Sequence, residues 1–272
     1  MLWSTIAIVL LVAFTAVAGI FFPETYAGET PYSRAGALGS DLVDLLVVVP
    51  VLLMSGIKGY RGSAAARLVW LGTQGYLLYN FVLYAFGVHF NALVFVYWAT
   101  LGLCFYATVF SLPVLGIAQI AQAYARRAPR KTSAVLFLLF ALPSAAFDLR
   151  EDIAALLAGQ KPPSAIAMNQ PVIFFHVLDL AFFLPALCIA AILLFRKKAI
   201  AYALAPALLA LLAIMNTELA AIVAMMTRAS LGMSYALLVP FVVFAAGSAI
   251  LLGFYLSSGE KTAWAGPPSA AG

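Results

Sequence analysis

Apolar residues come in eight long stretches along the chain, approximately 2–22, 40–57, 67–87, 91–116, 132–157, 171–195, 199–227 and 233–257, parted by short polar breaks. Each is close to the length of about 20 residues that crosses a bilayer core as a helix, at 1.5 Å of rise per residue. The pattern therefore predicts an all-α, polytopic membrane helix bundle of about eight spans, forming a single transmembrane bundle over 1–258. Six of the stretches contain a proline, Pro50, Pro113, Pro143, Pro185, Pro206 and Pro240. Each removes a backbone donor and invites a bend that membrane helices tolerate. Residues 259–272, ending Gly266-Pro267-Pro268-Ser269-Ala270-Ala271-Gly272, read as a short disordered cytoplasmic tail.

Composition changes the picture only by removing alternatives. Of the 272 residues, 65% are hydrophobic and 9% charged, and the mean hydropathy is +1.06. That is too few charges to cover a water-soluble globule, so the lipid bilayer is the expected surrounding. The net charge of +5 does not point to nucleic acid, because the basic residues sit in small clusters between the apolar stretches. Lys58, Arg61 and Arg67 follow the second, Arg126, Arg127, Arg130 and Lys131 the fourth, Arg196, Lys197 and Lys198 the sixth, and Lys261 the eighth. Only Arg34, Arg150, Lys161 and Arg228 fall on the other side. The positive-inside rule then places the even-numbered exits and both termini in the cytoplasm of a cell membrane. Ala16-Val17-Ala18 has the small residues of a cleavage site, but the charge-free Met1-Leu2-Trp3 lacks a basic leader, so the first stretch reads as a retained span. Cys104 and Cys188 lie within apolar stretches and read as buried, unpaired residues.

The second and sixth stretches share a motif. Asp44-Leu45 precedes Pro50, and Asp179-Leu180 precedes Pro185, both D-L-x-x-x-x-P and both followed by a basic exit. Asn80 follows Asp44 by 36 residues and Asn216 follows Asp179 by 37. This spacing raises a candidate duplication into two parallel four-helix repeats, 1–130 and 131–258, related by an axis along the membrane normal.

Gly39-Ser40-Asp41, Leu71-Gly72-Thr73-Gln74-Gly75-Tyr76-Leu77-Leu78-Tyr79, Phe86-Gly87 with Phe90-Asn91, and Leu178-Asp179-Leu180 with Pro185 before Arg196 together give the chain a resemblance. From about residue 36 to 205 it resembles an uncharacterised family of bacterial multi-pass membrane proteins. The resemblance implies membrane class and bacterial origin, and it carries no reaction or ligand.

Nine of the ten acids, all but Glu260, and both histidines lie outside or in the outer half of the membrane under this topology. An ionisable group within a span is costly unless it faces a cavity or a partner. Asp44, Asp179 and Glu218 are therefore the leading ligand-binding candidates, joined by His176, one helical turn from Asp179, and by the polar stripe Tyr76, Asn80 and Tyr84. Asp41, Asp148, Glu151 and Asp152 read as solvated helix ends or loop. Against the site, Asp44 and Asp179 could serve as hydrogen bonds between helices, and the tyrosine and asparagine stripe as packing. His89, His176, Asp179 and the acidic cluster offer metal-ligand atoms, but no H-E-x-x-H occurs and two histidines fall short of a three-histidine site. A bis-histidine haem would require His89 to meet His176. No metal or cofactor is assigned. No span carries a mid-membrane Lys for a retinal Schiff base, and P-loop, dinucleotide and G-x-S-x-G motifs are absent.

Three functions fit. The foremost is binding or transport of a cation, proton or small polar molecule through an outward-facing acidic cavity. The alternatives are an accessory or assembly subunit that pairs with a membrane partner protein and has no site, and a membrane-embedded enzyme using paired carboxylates at the outer leaflet.

Overall fold

The computed structural model describes residues 1–259, so the tail reading lies, from Glu260 onward, outside the described residues. Ten helices and no strand occur among the described residues. Five make up the first part: α1 (Leu2–Phe21), α2 (Pro31–Tyr60), α3 (Ala64–Gly87), α4 (Val94–Ser111) and the short α5 (Ile117–Tyr124). The remainder are α6 (Arg130–Leu157), the five-residue α7 (Pro163–Ala167), α8 (Phe174–Phe195), α9 (Ala199–Arg228) and α10 (Tyr235–Ser257).

Seven of these, α1, α2, α4, α6, α8, α9 and α10, are long and apolar enough to cross a membrane. α3 has 24 residues and so about 36 Å of length, but it is less apolar. Its polar residues Thr73, Gln74, Tyr76, Asn80 and Tyr84 are all buried, because α2, α4 and α9 pack around it. A helix screened from lipid by its neighbours need not be apolar. Lipid contact falls instead to side chains such as Leu10, Phe14, Phe105, Phe110, Leu139, Phe182 and Phe254, which are exposed on the outer faces. The exterior is as apolar as the core, and the buried polar residues are set within that apolar interior.

Local sequence sets the helix ends. Thr30 accepts from the Ser33 N–H at 3.1 Å and Pro31 occupies the first turn, so α2 starts nine residues before the apolar stretch that marks it. Ser63 caps α3 through the Ala66 N–H, after a turn in which Gly62 takes φ +98°. Pro113 lies beyond α4 and ends it, where an internal bend was expected, whereas Pro143 and Pro206 lie inside α6 and α9.

The two D-L-x-x-x-x-P motifs adopt the same backbone. Asp44–Val48 and Asp179–Phe183 each form a π-helical turn, in which the Val49 N–H reaches the Asp44 carbonyl and the Leu184 N–H reaches that of Asp179. Pro50 and Pro185 follow immediately and cannot donate to the preceding turn. The wider π turn removes the clash between the proline ring and the carbonyl four residues earlier.

Packing divides the long helices into two rings. α1, α2, α3 and α4 close on one another in chain order, and so do α6, α8, α9 and α10. α9 is the hub, packed on α2, α3, α5, α8 and α10. Glycines allow the closest approaches: a Cβ at Gly39 of α2 would stand 2.6 Å from Cα of Ile222 in α9, and one at Gly72 of α3 would meet the Ala207 carbonyl.

Candidate functional site

Among the described residues the acids gather toward the end opposite the basic clusters, and six of them, Asp41, Asp44 and Glu218, and Asp148, Asp152 and Asp179, form two networks beside α3. The first is built on the N-terminal half of α2. Asp41 Oδ2 accepts from the Tyr26 hydroxyl at 2.8 Å, and Asp41 Oδ1 accepts from the Tyr84 hydroxyl at 2.8 Å. One helical turn on, Asp44 Oδ1 accepts from the Tyr76 hydroxyl at 2.9 Å and Asp44 Oδ2 from Asn80 Nδ2 at 3.1 Å. Asn80 Nδ2 also donates to the Tyr76 hydroxyl oxygen, at 3.1 Å. Glu218 of α9 lies within hydrogen-bonding reach of Ser40 and Tyr76. Asp41 is 0% exposed, Asp44 1% and Glu218 5%.

Helical spacing explains how one helix serves both acids. Tyr76, Asn80 and Tyr84 are four residues apart and share a face of α3, and Asp41 and Asp44 are three apart on α2. Gly39 lets α9 approach α2 closely and so carries Glu218 to Ser40. Gly19 of α1 leaves room for the Asp41 carboxylate, which a side chain there would strike. Tyr26 belongs to a single 3₁₀ turn, Pro23–Tyr26, in the loop between α1 and α2. Burial, reinforced by the adjacent Asp41 charge, pushes its phenol well above the ordinary range, so it remains a donor.

The second network joins α6, α8 and α3. His176 is 3% exposed and lies between two carboxylates of α6, with Nδ1 3.1 Å from Asp152 Oδ2 and Nε2 3.4 Å from Asp148 Oδ1. Asp179 lies beside Tyr79 of α3 and near enough to Asp148 to interact electrostatically. Asp148 Oδ2 and Asp179 Oδ1 are buried without a hydrogen-bond partner. Glu151 is turned elsewhere and receives the Ser164 N–H at 2.7 Å and its hydroxyl at 3.0 Å, holding the start of α7.

Of the candidate residues, Asp44, Asn80, Tyr76, Tyr84 and Glu218 thus meet in one network, and Asp179 and His176 belong to the other. Asp44 meets α3 at Tyr76 and Asn80, whereas Asp179 lies beside Tyr79. Tyr76 and Tyr79, both on α3, are the nearest links between the networks, since Tyr76 reaches Glu218 and Tyr79 reaches Asp179. Two readings are corrected. Asp41 and Asp148 are buried, not solvated helix ends, because the Tyr26 loop folds over Asp41 and α8 covers Asp148. Asn216, although spaced like Asn80, donates to the Leu212 carbonyl of its own helix and leaves Oδ1 unpartnered. Tyr26, Ser40 and Tyr79 were not among the candidates. Tyr79 alone has a signal in the sequence, its place one turn after Tyr76.

His89 is far from His176 in role and partner. Its N–H donates to Glu29 Oε1 at 2.6 Å and its Nδ1 is 3.1 Å from both Glu29 oxygens, so it pins the α3–α4 loop to the α1–α2 loop. Among the described residues no group of three His, Cys, Asp or Glu is placed to hold a metal ion. Two grooves, of about 570 and 460 Å³, mark the surface; the larger is lined by residues such as Val47, Val69, Ala213 and Val242 and the smaller by Trp70, Tyr106 and Phe110. Both are apolar, and neither includes any of the acids.

Comparison of the chain with protein-family models, with curated proteins and with solved structures returns no match. The fold defines the class by itself: with seven helices of spanning length and apolarity among the described residues, the chain is a multi-pass α-helical integral membrane protein.

Proposed function

We propose that this membrane protein binds protons on its buried carboxyl groups and serves as a proton-binding or proton-transport protein. The observation that carries the reading is a charge balance. Asp41, Asp44 and Glu218 are buried together, Asp148 and Asp179 lie between α6 and α8, and among the described residues the one ion pair to these five carboxylates is that of Asp148 with His176. A carboxylate held in an apolar bundle without a compensating positive charge is costly. The packing around Asp41 and Asp44 favours the smallest cation, a proton, over a metal ion or a polar molecule that would need a cavity. Phenols and imidazole that bridge carboxylates are also the groups that pass protons. α3 is taken as the eighth span, and the bundle sits in a bacterial cell membrane with the acidic end outside and both termini in the cytoplasm.

The matching π turns and the matching order of helices in the two rings support a parallel duplication of 1–130 and 131–258. In that view the second half has kept the acid and the proline of the first while losing the asparagine contact.

The test is proton flux in liposomes that hold the purified protein and a trapped pH-sensitive dye, under a valinomycin-set potassium potential. Flux above that of empty vesicles, lost in Asp44→Asn, Glu218→Gln or Asp179→Asn, is the expected result. No flux above empty vesicles removes transport, and an unchanged Asp179→Asn protein removes that carboxyl from the path. The accessory-subunit reading draws on a different observation, the complete hydrogen bonding of Asp41 and Asp44, which is also what purely structural acids between helices would show. It is favoured if flux is absent and a stable membrane partner co-purifies.

A further inference from the structure

The two networks differ in a way that assigns them different tasks. Every carboxylate oxygen of Asp41 and Asp44 has a phenol or amide donor and both acids are sealed. The second network retains unpartnered oxygens on Asp148 and Asp179, and its members are graded in exposure. The side chain of Asp152 is 35% exposed, that of His176 4% and that of Asp148 8%. The Phe175 ring lies edge-on to the imidazole, centroids 4.8 Å apart at 87°, and holds its plane.

Resting on the proton-binding reading above, we infer that His176 is a proton relay connecting the partly exposed Asp152 to the buried Asp148 and, beyond it, the half-buried Asp179. The elements packed on this turn of α8 are α6 and α3. The titratable groups they bring are Asp148, Glu151 and Asp152 from α6 and Tyr79 from α3, with Asp179 on α8 itself; Glu151 is occupied by Ser164, and Arg150 lies over the Phe147 ring. In the relay, a proton on Asp152 moves to His176 Nδ1 as the proton on Nε2 leaves for Asp148 Oδ1. Asp152 ends as a carboxylate, Asp148 as a carboxylic acid, and the ring as its other tautomer; rotation of the ring and re-exchange of its own proton restore the first tautomer, while the delivered proton stays on Asp148. Beyond Asp148 the next carboxyl is Asp179, near enough to interact with it electrostatically and with an unpartnered Oδ1, beside Tyr79 of α3.

The experiment is infrared difference spectroscopy of the full-length protein in lipid nanodiscs, following the carboxylic C=O bands after exchange from H₂O to D₂O. Bands lost in Asp148→Asn or Asp179→Asn identify the buried acids. His176→Gln, which keeps a polar side chain but cannot pass a proton, is expected to retain those bands and slow their deuteration by roughly 10²-fold, the scale of a lost acid–base group. Asp152→Asn, at a partly exposed position that leaves the core intact, is expected to slow it likewise, whereas His89→Gln in the distant loop pair leaves it unchanged. Deuteration as fast as wild type in both His176→Gln and Asp152→Asn overturns the relay while the proton-binding reading stands. Absence of any band sensitive to Asp148→Asn or Asp179→Asn overturns the proton-binding reading for this network.

Discussion

Replacing Tyr76 by Phe is the most informative single perturbation, because one hydroxyl ties three elements together. It donates to Asp44 Oδ1 at 2.9 Å, accepts from Asn80 at 3.1 Å and reaches Glu218 of α9. Tyr76 is 0% exposed, so no water replaces the lost hydroxyl, and the ring itself still fills its space in the variant. What is lost is the donor to a buried carboxylate oxygen. An oxygen left unsatisfied in this way costs about 1–3 kcal/mol. Polar contacts between membrane helices run lower, near 0.6–2 kcal/mol, because the opened bundle finds other partners. Taking about 1.5 kcal/mol, the melting temperature of the detergent-purified protein should fall by roughly 3–6 °C, on the scale of about 2–4 °C per kcal/mol for a chain of this size. Tyr106→Phe on the lipid-facing surface is the control and should not shift it. A double-mutant cycle with Asp44→Asn should recover part of the loss, since the amide needs the phenol less than the carboxylate does. A Tyr76→Phe protein that melts with wild type, or a cycle in which the two changes simply add, would refute the claim that this hydrogen bond ties α2 to α3.

Other outcomes follow from single positions. A cysteine placed at Gly159, in the acidic-end loop, should react with a membrane-impermeant maleimide on intact cells, and one at Gly62 in the basic-end loop should react only after permeabilisation; the reverse pattern would invert the topology. Gly39→Ala should lower folded yield by more than any helix-propensity gain, because its Cβ meets the Ile222 backbone, whereas Gly247→Ala, with open space around it, should stabilise by about 0.5–1 kcal/mol in the same thermal assay. Tyr26 holds its proton more tightly folded than unfolded, since burial raises its phenol above the ordinary 10.0. Its contribution is therefore fully present below about pH 10 and fades at more alkaline pH. The stability difference between wild type and Tyr26→Phe should shrink above that pH, and a difference that grows instead would contradict the buried-donor role.

The apolar stretches were legible because hydropathy over about 20 residues is a local property, and their order and the basic exits follow from it directly. The true start of α2 at Pro31 was not. Its first turns, with Ser33, Arg34 and Gly36, are too polar for a hydropathy reading, and the Thr30-Pro31 cap is the signal that marks them. The D-L-x-x-x-x-P motif stood out in both halves, but its π turn is a backbone response to proline that the residue pattern does not state. The burial of Asp41 illustrates the harder case. Read alone it is an acid near a helix end, and only the folding back of Tyr26 from a loop and the approach of Tyr84 from α3 enclose it.

The sequence by itself determined that the chain is an all-helical membrane bundle, and that its acids other than Glu260 and its histidines collect at the end opposite its basic clusters. These follow from the cost of moving polar groups into hydrocarbon, which acts residue by residue. The tertiary structure alone decided which acids share a network. Asp44 meets Asn80 while Asp179 does not meet Asn216, although the spacing in the chain is nearly the same: the Asn216 amide turns back to the Leu212 carbonyl of α9, and Asp179 lies beside Tyr79 of α3 instead. Which side chains converge depends on helix rotation and on the close contacts at Gly39 and Gly72, and those are set by packing among residues far apart in the chain.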